Sequence, residues 1–208
     1  TEQGKEVFDI YYMYETEYGG TGGSLSFEKA TGEVINYDNV KNHLGIYDEE
    51  EELNKVLSQQ QAFDKAIAYA KEWVPSSVHE YALPYISQDL YFEYNNSYNF
   101  IFPRIVNGLQ VNGDNISIDV DAETGELLSV YKYAYDNIEW PDPTDVMPIK
   151  EATKLFKDEL NLDLQYVNLS NVENEQHYSL VYQPMFKDTF ISNIDAKTGK
   201  WLSVFGTP

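Results

Sequence analysis

Three segments of this chain share one pattern, in which an acidic residue, any two residues, threonine and glycine separate two apolar stretches. The clearest copy is Asn112–Tyr131. Its first strand alternates apolar and polar residues, as a half-buried strand does, with the apolar face made by Ile116, Ile118 and Val120. Ala122–Gly125 fits a type I turn whose glycine takes the left-handed conformation and closes a bulged hairpin. The predicted register pairs Val120 with Leu128 and Ile118 with Val130.

The same pattern occurs at Leu25–Tyr37 and at Ile194–Val204. The predicted pairs in these two hairpins are Leu25 with Tyr37, Phe27 with Ile35, and Ile194 with Leu202. Because three separate segments contain one kind of hairpin, the sequence predicts an internal repeat built on antiparallel strands.

The overall charge limits the class of partner. The chain carries 35 acidic and 14 basic residues among 208, which gives a net charge of −21. Such a surface repels phosphate backbones and anionic lipids, so it argues against nucleic-acid binding. It favours cationic partners and allows weak binding of divalent cations. The chain has no cysteine, and no apolar run approaches the roughly 20 residues of a transmembrane helix.

Two stretches have the apolar spacing of an amphipathic helix. The first precedes Pro75, and its apolar stripe comprises Val56, Phe63, Ile67, Ala70 and Val74. The second begins near Pro148, and its stripe comprises Ile149, Ala152, Leu155, Phe156 and Leu160. Two prolines in Trp140–Pro143 mark the clearest boundary in the chain. The glycine-rich segment Gly19–Gly23 is interpreted as a flexible connection.

Along the chain, strands are followed by a helix with strands and then by a second helix with strands. The predicted fold class is α+β, with tandem units that each pack one helix on an antiparallel sheet of about four strands. The predicted division is residues 1–45 (half a unit, strands only), 46–142 (a complete unit) and 143–208 (a second, shorter unit). Since the first unit lacks a preceding helix, we expect the chain to begin inside a unit of a longer protein.

No residues have the spacing of a catalytic or cofactor-binding centre. His43, His79 and His177 lie far apart and outside any zinc-binding or hydrolase motif. The sequence therefore predicts a protein that is not an enzyme, with no catalytic residue, no cofactor and no metal site.

Two alternatives remain open on the sequence alone. Calcium prefers hard oxygen ligands, which four acidic residues near the second hairpin offer without the spacing of an EF-hand loop: Asp114, Asp119, Asp121 and Glu123. A chain with 35 acidic residues could also hold the paired carboxylates of a glycosidase, whose separation a sequence does not reveal.

One position of the repeated hairpin is a candidate contact surface. The second residue after the turn glycine is apolar in all three copies, as Val34, Leu127 and Trp201. The predicted register places these side chains opposite the hairpin core, where they either pack one unit on the next or present an apolar patch to a partner. Tyr91, in the predicted strand Leu90–Tyr94, is a further candidate contact residue.

The segment Phe102–Asp121 resembles the YcdB/YcdC repeat family. The resemblance rests on an aromatic residue, an arginine, Val-Asn-Gly, Gly-Asp and the Val-Asp-x-x-Thr-Gly hairpin, which correspond here to Phe102, Arg104, Val106–Gly108, Gly113–Asp114 and Val120–Gly125. It extends well over residues 50–208 and, as a half-unit, over 8–37. The third unit lacks the Arg-x-Val-Asn-Gly element. We interpret Arg104 and Asn107–Gly108 as structural.

This family resembles the PepSY domain, a small cystatin-like module found in the propeptides of thermolysin-type peptidases. The resemblance implies an extracellular or cell-envelope protein of Gram-positive bacteria without a known catalytic residue. It further implies binding of a protein or peptide, with inhibition or chaperoning of a secreted peptidase as the specific expectation. The alternative expectation is a structural spacer, or a scaffold that contacts the cell wall in a surface-layer-type protein.

Overall fold

The computed structural model describes residues 5–16, 19–42, 56–75, 77–87, 96–135, 138–170, 176–186 and 191–203. The chain divides into two compact units, an N-terminal unit of residues 1–140 and a C-terminal unit of residues 141–208. This division falls within Trp140–Pro143, the proline-rich segment. The finer division into three parts stays a prediction.

The N-terminal unit has seven strands and one α-helix in its described part. The strands are β1 (Val7–Thr16), β2 (Gly19–Glu28), β3 (Val34–Asn42), β4 (Tyr85–Ile86), β5 (Ser97–Val106), β6 (Leu109–Asp121) and β7 (Leu127–Tyr133). The helix α1 spans Gln59–Trp73, and a 3₁₀ turn spans Val78–Glu80.

All seven strands form one antiparallel sheet in the order β1-β2-β3-β7-β6-β5-β4. This confirms the α+β class, but the predicted sheet of about four strands is wrong for this unit. The sheet is larger because β3 pairs with β7 through Asn36–Tyr131, Tyr37–Val130 and Asp38–Ser129. This pairing joins the first hairpin to the second, and strands so distant in sequence carry no local signal that they are partners.

The predicted turn geometry is present in all three hairpins. The turn glycines Gly32, Gly125 and Gly199 have φ of 73°, 73° and 69°, the left-handed conformation that glycine adopts without strain. In the third turn, Asp195 accepts hydrogen bonds from the amides of Lys197 (3.0 Å) and Thr198 (2.7 Å). The threonine also stabilises each turn. In every copy its Oγ1 accepts a hydrogen bond from the backbone amide of the residue that follows the glycine.

The register next to each turn differs by one residue from the predicted one. Ile118 faces Val130 as predicted, but a bulge places Val120 opposite Leu127 instead of Leu128. The equivalent bulge in the first hairpin pairs Phe27 with Val34, and in the third hairpin Ile194 pairs with Trp201. A shift of one residue moves a side chain to the other face of a sheet, so the bulge changes which residues near the turn face the core.

The segment Gly19–Gly23, predicted to be a flexible connection, forms the first half of strand β2. A side chain at position 23 would collide with the backbone oxygen of Asp38 and with Tyr12, whose hydroxyl and Cε1 atoms would lie 2.6 and 2.8 Å from its Cβ. Tyr12 crosses β2 above this glycine and donates a hydrogen bond from its hydroxyl to Asn39 Oδ1 at 2.8 Å. Gly23 therefore allows a ring from β1 to reach β3, a close approach that explains a glycine inside a strand.

Helix α1 packs on the sheet through a stripe of small residues. Its N-cap is Ser58, which forms a reciprocal capping box with Gln61. The fully buried residues of the helix are Ala62, Ala66 and Ala70, with Val74 just beyond its end. Small side chains allow the helix to approach the sheet closely, where it covers Phe100, Ile116, Ile118, Val120 and Val130. Val56, predicted to belong to the apolar stripe, precedes the helix and is exposed.

The C-terminal unit contains helix α2 (Ile149–Glu159) and strands β8 (Leu160–Ser170), β9 (Gln176–Phe186), β10 (Ile191–Ile194) and β11 (Trp201–Ser203). The strands form two separate antiparallel pairs, β8–β9 and β10–β11. No residue of α2 is fully buried, and its Phe156 ring lies 6.1 Å from the ring of Trp201.

Candidate protein-docking face

Strands β1–β3 and β5–β7 repeat one arrangement within the seven-stranded sheet. Tyr37 and Val130 each lie five residues after a turn glycine, Gly32 and Gly125, and they pair with each other across β3 and β7. Equivalent backbone hydrogen bonds lie at the turn of each hairpin. The Lys29 amide donates to the Glu6 carbonyl (2.9 Å), and the Ala122 amide donates to the Asn96 carbonyl (2.8 Å). An approximate two-fold axis therefore passes between β3 and β7, perpendicular to the sheet, and equivalent residues lie on the same face.

Helix α1 covers the half formed by β5–β7 and contacts the other half at β3, where the ring of Trp73 lies 4.6 Å from that of Tyr37. On β5, Phe100 and Phe102 are 0% and 4% exposed beneath the helix. The register makes Ile10 and Tyr12 of β1 their equivalents, since Ile10 pairs with Leu25 as Phe100 pairs with Ile118. Ile10 and Tyr12 are 49% and 42% exposed. The half of the sheet formed by β1–β3 thus presents to solvent the positions that the other half buries.

We call this surface the open face, and it extends over three strands: Phe8, Ile10, Tyr12, Leu25, Phe27 and Val34. Phe8, Ile10 and Tyr12 are exposed, whereas the other three residues are half-buried. The rings of Phe8 and Phe27 lie 5.5 Å apart, so the apolar surface continues from β1 to β2. Contiguous exposed apolar surface of this kind marks an interaction site far more often than scattered exposed residues do.

A cleft of about 370 Å³ borders the open face at the first hairpin turn. Its walls are the turn itself and the last turn of α1: Thr31, Gly32, Glu33, Val34, Glu72, Trp73 and Pro75. Val34 belongs to both the cleft and the open face, whereas exposed Glu72 gives the cleft an acidic rim.

Each of the other two Thr-Gly turns supports the start of a helix. The amide of Leu57, just before α1, donates to the Ala122 carbonyl at 2.8 Å, and the amide of Met147, just before α2, donates to the Ala196 carbonyl at 2.7 Å. A Cβ on Gly125 would collide with Lys65 and Leu57, and one on Gly199 with Met147. At Gly32 no atom of the described residues lies within 4 Å of such a Cβ. The first turn has the same geometry as the others but carries no helix in the described structure.

The opposite face of the sheet is polar where its two halves meet. Asp119 accepts hydrogen bonds from Ser129 Oγ (2.6 Å) and Asn99 Nδ2 (2.7 Å). Burial raises the pKa of Asp119, the negative charge of Asp38 raises it further, and the two hydrogen bonds oppose the shift. Burial also raises the pKa of Asp38, while a hydrogen bond with Tyr131 opposes that shift. Both oxygens of Asp119 are occupied, which suits a structural role in the sheet and gives no support to the glycosidase alternative.

Arg104, read from the sequence as structural, lies at the centre of a buried ion-pair cluster. Its guanidinium contacts Glu80 (2.9 Å) and Asp114 (3.0 Å) and donates to the carbonyl of Tyr135 (2.9 Å). Trp140 stacks over it, with 5.6 Å between the guanidinium carbon and the ring centre. This single side chain ties β5 and β6 to the 3₁₀ turn and to the segment after β7, as a structural interpretation requires.

The predicted contact residues that the structure describes have different surroundings. Val34 lines the cleft, whereas Leu127 packs against the core under α1, because the bulge turns it toward the helix. Trp201 lies in the C-terminal unit beside Phe156. Tyr91 lies outside the described residues. Phe8, Ile10 and Tyr12 of the open face were missed as site residues, although their alternation along β1 gave a visible signal.

The acidic residues considered for calcium are also dispersed. Asp114 pairs with Arg104, Asp119 binds Ser129 and Asn99, and Asp121 accepts the amides of Glu123 and Thr124 in the turn. Within the described ranges, no group of three or more histidine, aspartate or glutamate residues could hold a metal ion. Neither described helix is long and apolar enough to cross a membrane.

The N-terminal unit is an α+β protein with one helix on half of a large antiparallel sheet and an apolar face on the other half. The chain belongs to the family described as the YcdB, YcdC repeated domain, which matches residues 10–137. The match begins within β1, includes β2–β7 with α1 and ends before the C-terminal unit.

Among solved structures, the C-terminal domain of Bacillus megaterium YpeB resembles this chain with a TM-score of 0.42 and 14% identity. The similarity covers 93% of this chain and 87% of that one, and its degree is too low to indicate a shared function. No curated protein matches the sequence significantly.

Proposed function

We propose that this chain is a non-catalytic module that binds another protein through the open face. The observation that carries the proposal is the contrast between Phe100, fully buried beneath α1, and its equivalent Ile10, half exposed. The equivalent positions are apolar in both halves of the sheet. In the described residues, α1 buries these positions in the half formed by β5–β7. A partner that buries the open face would gain about 25 cal/mol for each Å² of apolar surface removed from water.

The charge of the chain narrows the class of partner. A net charge of −21 favours a protein with a basic contact surface and speeds its encounter with this module. The resemblance to PepSY propeptide modules supports a location outside the cell or in its envelope. It also supports a secreted peptidase as the partner, which this module would inhibit or chaperone.

A purified thermolysin-type peptidase provides the direct test, with binding measured by biolayer interferometry and inhibition by peptide hydrolysis. The test variant is Phe8→Ser with Ile10→Ser, and the control is Leu109→Ser, which removes a residue of similar exposure beside the β5–β6 turn. Binding should be unchanged in the control and weaker by about ten-fold or more in the double variant. Equal binding by the two variants would refute docking on the open face, and no binding by the unaltered chain would refute the peptidase as partner.

A second candidate function is a structural spacer made of tandem units. The observation that favours it is the shared helix anchor, since Leu57 and Met147 bind the carbonyls of equivalent turn residues, Ala122 and Ala196. Chains of such units would extend a surface protein, or contact the cell wall, without any need for a specific partner. Sedimentation with isolated cell walls, with and without Ca²⁺, tests this function. Because both surfaces are anionic, wall binding should require the divalent cation, and binding in neither condition would reject the wall-contact version.

A further inference from the structure

We infer that the segment that covers the open face is an amphipathic α-helix of the partner protein, with small residues on its apolar side and basic residues on its polar side. This inference rests on the proposed function and names the structural class of the bound segment.

The apolar side of the docked helix follows from the way α1 packs. The helix presents Ala62, Ala66 and Ala70, spaced by four residues, to the aromatic rings of β5. The open face offers rings and branched side chains at the equivalent positions, in Phe8, Ile10 and Tyr12. Large side chains on both surfaces would hold the layers apart, so a helix that covers this face needs a stripe of small residues with a period of about four.

The position of the helix start follows from the turns. The carbonyls of Ala122 and Ala196 accept hydrogen bonds from the amides of Leu57 and Met147, each two residues before its helix, at 2.8 and 2.7 Å. The equivalent carbonyl of the first turn belongs to Lys29, which is exposed. A helix that begins there meets the cleft, so its positive end lies beside the acidic rim at Glu72.

The polar side follows from charge. The chain carries −21 overall, so a partner helix with an acidic polar face would be repelled and one with a basic polar face attracted. The two requirements, an alanine stripe and a basic polar face, define a searchable sequence pattern in the partner.

The probe is a synthetic peptide with the sequence of residues 56–75, in which Asp64 and Glu72 are both replaced by lysine. The control peptide carries Ala62→Glu, Ala66→Glu and Ala70→Glu, which keep helix propensity but place charges on the apolar stripe. Fluorescence anisotropy measures binding to the full chain, and circular dichroism measures the helix formed on binding. Thermal melts establish that each protein variant is folded.

We expect the probe to bind saturably with a gain of helix, and the control peptide to bind at least about ten-fold more weakly. The Phe8→Ser, Ile10→Ser variant should also lose about ten-fold, whereas Leu109→Ser should not. Equal binding of the probe to the double variant would mean that the peptide replaces α1 in its own groove, and that result overturns the inference. If the peptidase binds the open face and the probe does not, the docking function stands and the helical partner is wrong.

Discussion

The side chains of Lys132 and Glu33 form a buried ion pair, with 2.7 Å between Nζ and Oε2. Lys132 lies on β7, and Glu33 follows the turn glycine of the first hairpin. Glu33 also accepts a hydrogen bond from Ser77 Oγ at 3.1 Å. This contact ties the first hairpin to both β7 and the segment after α1, so it holds the open face in a fixed place relative to the core.

Replacing Lys132 with methionine should destabilise the N-terminal unit by about 3 kcal/mol, because it removes the nearest cation from a buried carboxylate. Urea unfolding measures the loss. The double variant Lys132→Met, Glu33→Gln should recover part of it, since no buried charge then remains at position 33. A double variant less stable than Lys132→Met would contradict this account.

Gly32 and Gly125 both have φ of 73°, so alanine at the two positions meets the same backbone strain but different crowding. Gly32→Ala should cost about 1 kcal/mol, the usual penalty for an alanine in the left-handed region. Gly125→Ala should cost at least about 1 kcal/mol more, because its Cβ would lie 2.8 Å from Lys65 Cδ and 2.9 Å from Leu57 Cδ2. Thermal unfolding of both variants checks the difference. Equal losses would show that α1 moves away without cost.

Arg104→Met should destabilise the N-terminal unit by about 3 kcal/mol, because the carboxylate of Asp114, whose side chain is 13% exposed, then loses its cation. The matched control is Lys29→Met, which removes an exposed lysine 3.3 Å from Glu6. The control should change the unfolding free energy by less than about 1 kcal/mol. Similar losses of unfolding free energy in the two variants would mean that burial does not determine how much these ion pairs stabilise the fold.

The contribution of Asp119 to the stability of the sheet should fall as the pH rises from the ordinary aspartate pKa through the raised pKa of the folded chain. Burial raises the pKa of Asp119 in the folded chain, so the folded state holds this proton more tightly than the unfolded state does. The stabilising contribution is complete below the unfolded pKa and is lost as the pH passes the folded pKa. Asp119→Asn carries no titrating group and should reduce this pH dependence.

Asp195 provides the control of opposite sign. Hydrogen bonds from the backbone of Thr198, from its side chain and from the backbone of Lys197 lower the pKa of Asp195. Its contribution to stability is therefore present above the unfolded pKa and is lost as the pH falls through the folded pKa. Unfolding free energies measured below and above the ordinary aspartate pKa should show the Asp195 contribution rising with pH below it and the Asp119 contribution falling with pH above it. Slopes of the same sign would contradict the assigned pKa shifts.

Local patterns located the hairpins and the two helices, because turn chemistry and periodicity act over a few residues. Three predicted stripe residues were wrong: Val56 and Ile149 are exposed, and Leu160 belongs to β8. Gly32, Gly125 and Gly199 were predicted to adopt left-handed conformations, and they do. The pairing of Leu25 with Tyr37 and of Ile118 with Val130 was also predicted. In the second hairpin the error begins at the bulge beside the turn, where one additional residue changes the face of Leu127, so that it packs against the core instead of lying on the predicted contact surface.

Other features required contacts between distant segments. Gly19–Gly23 has the composition of a flexible connection, yet it is a strand in which Gly23 accommodates the ring of Tyr12. The ring crosses from β1 to reach Asn39 on β3, which no spacing within one segment indicates. The open face was not predicted either, since the exposure of Ile10 depends on which half of the sheet α1 covers.

The sequence by itself determined the α+β class and the positions of the hairpins, because these depend on periodicity and local turn chemistry. The tertiary structure alone decided that β3 pairs with β7 and that α1 covers only half of the resulting sheet. Pairing between distant strands depends on how well whole surfaces pack together, which no local pattern reveals. The resulting arrangement leaves Phe8, Ile10 and Tyr12 exposed.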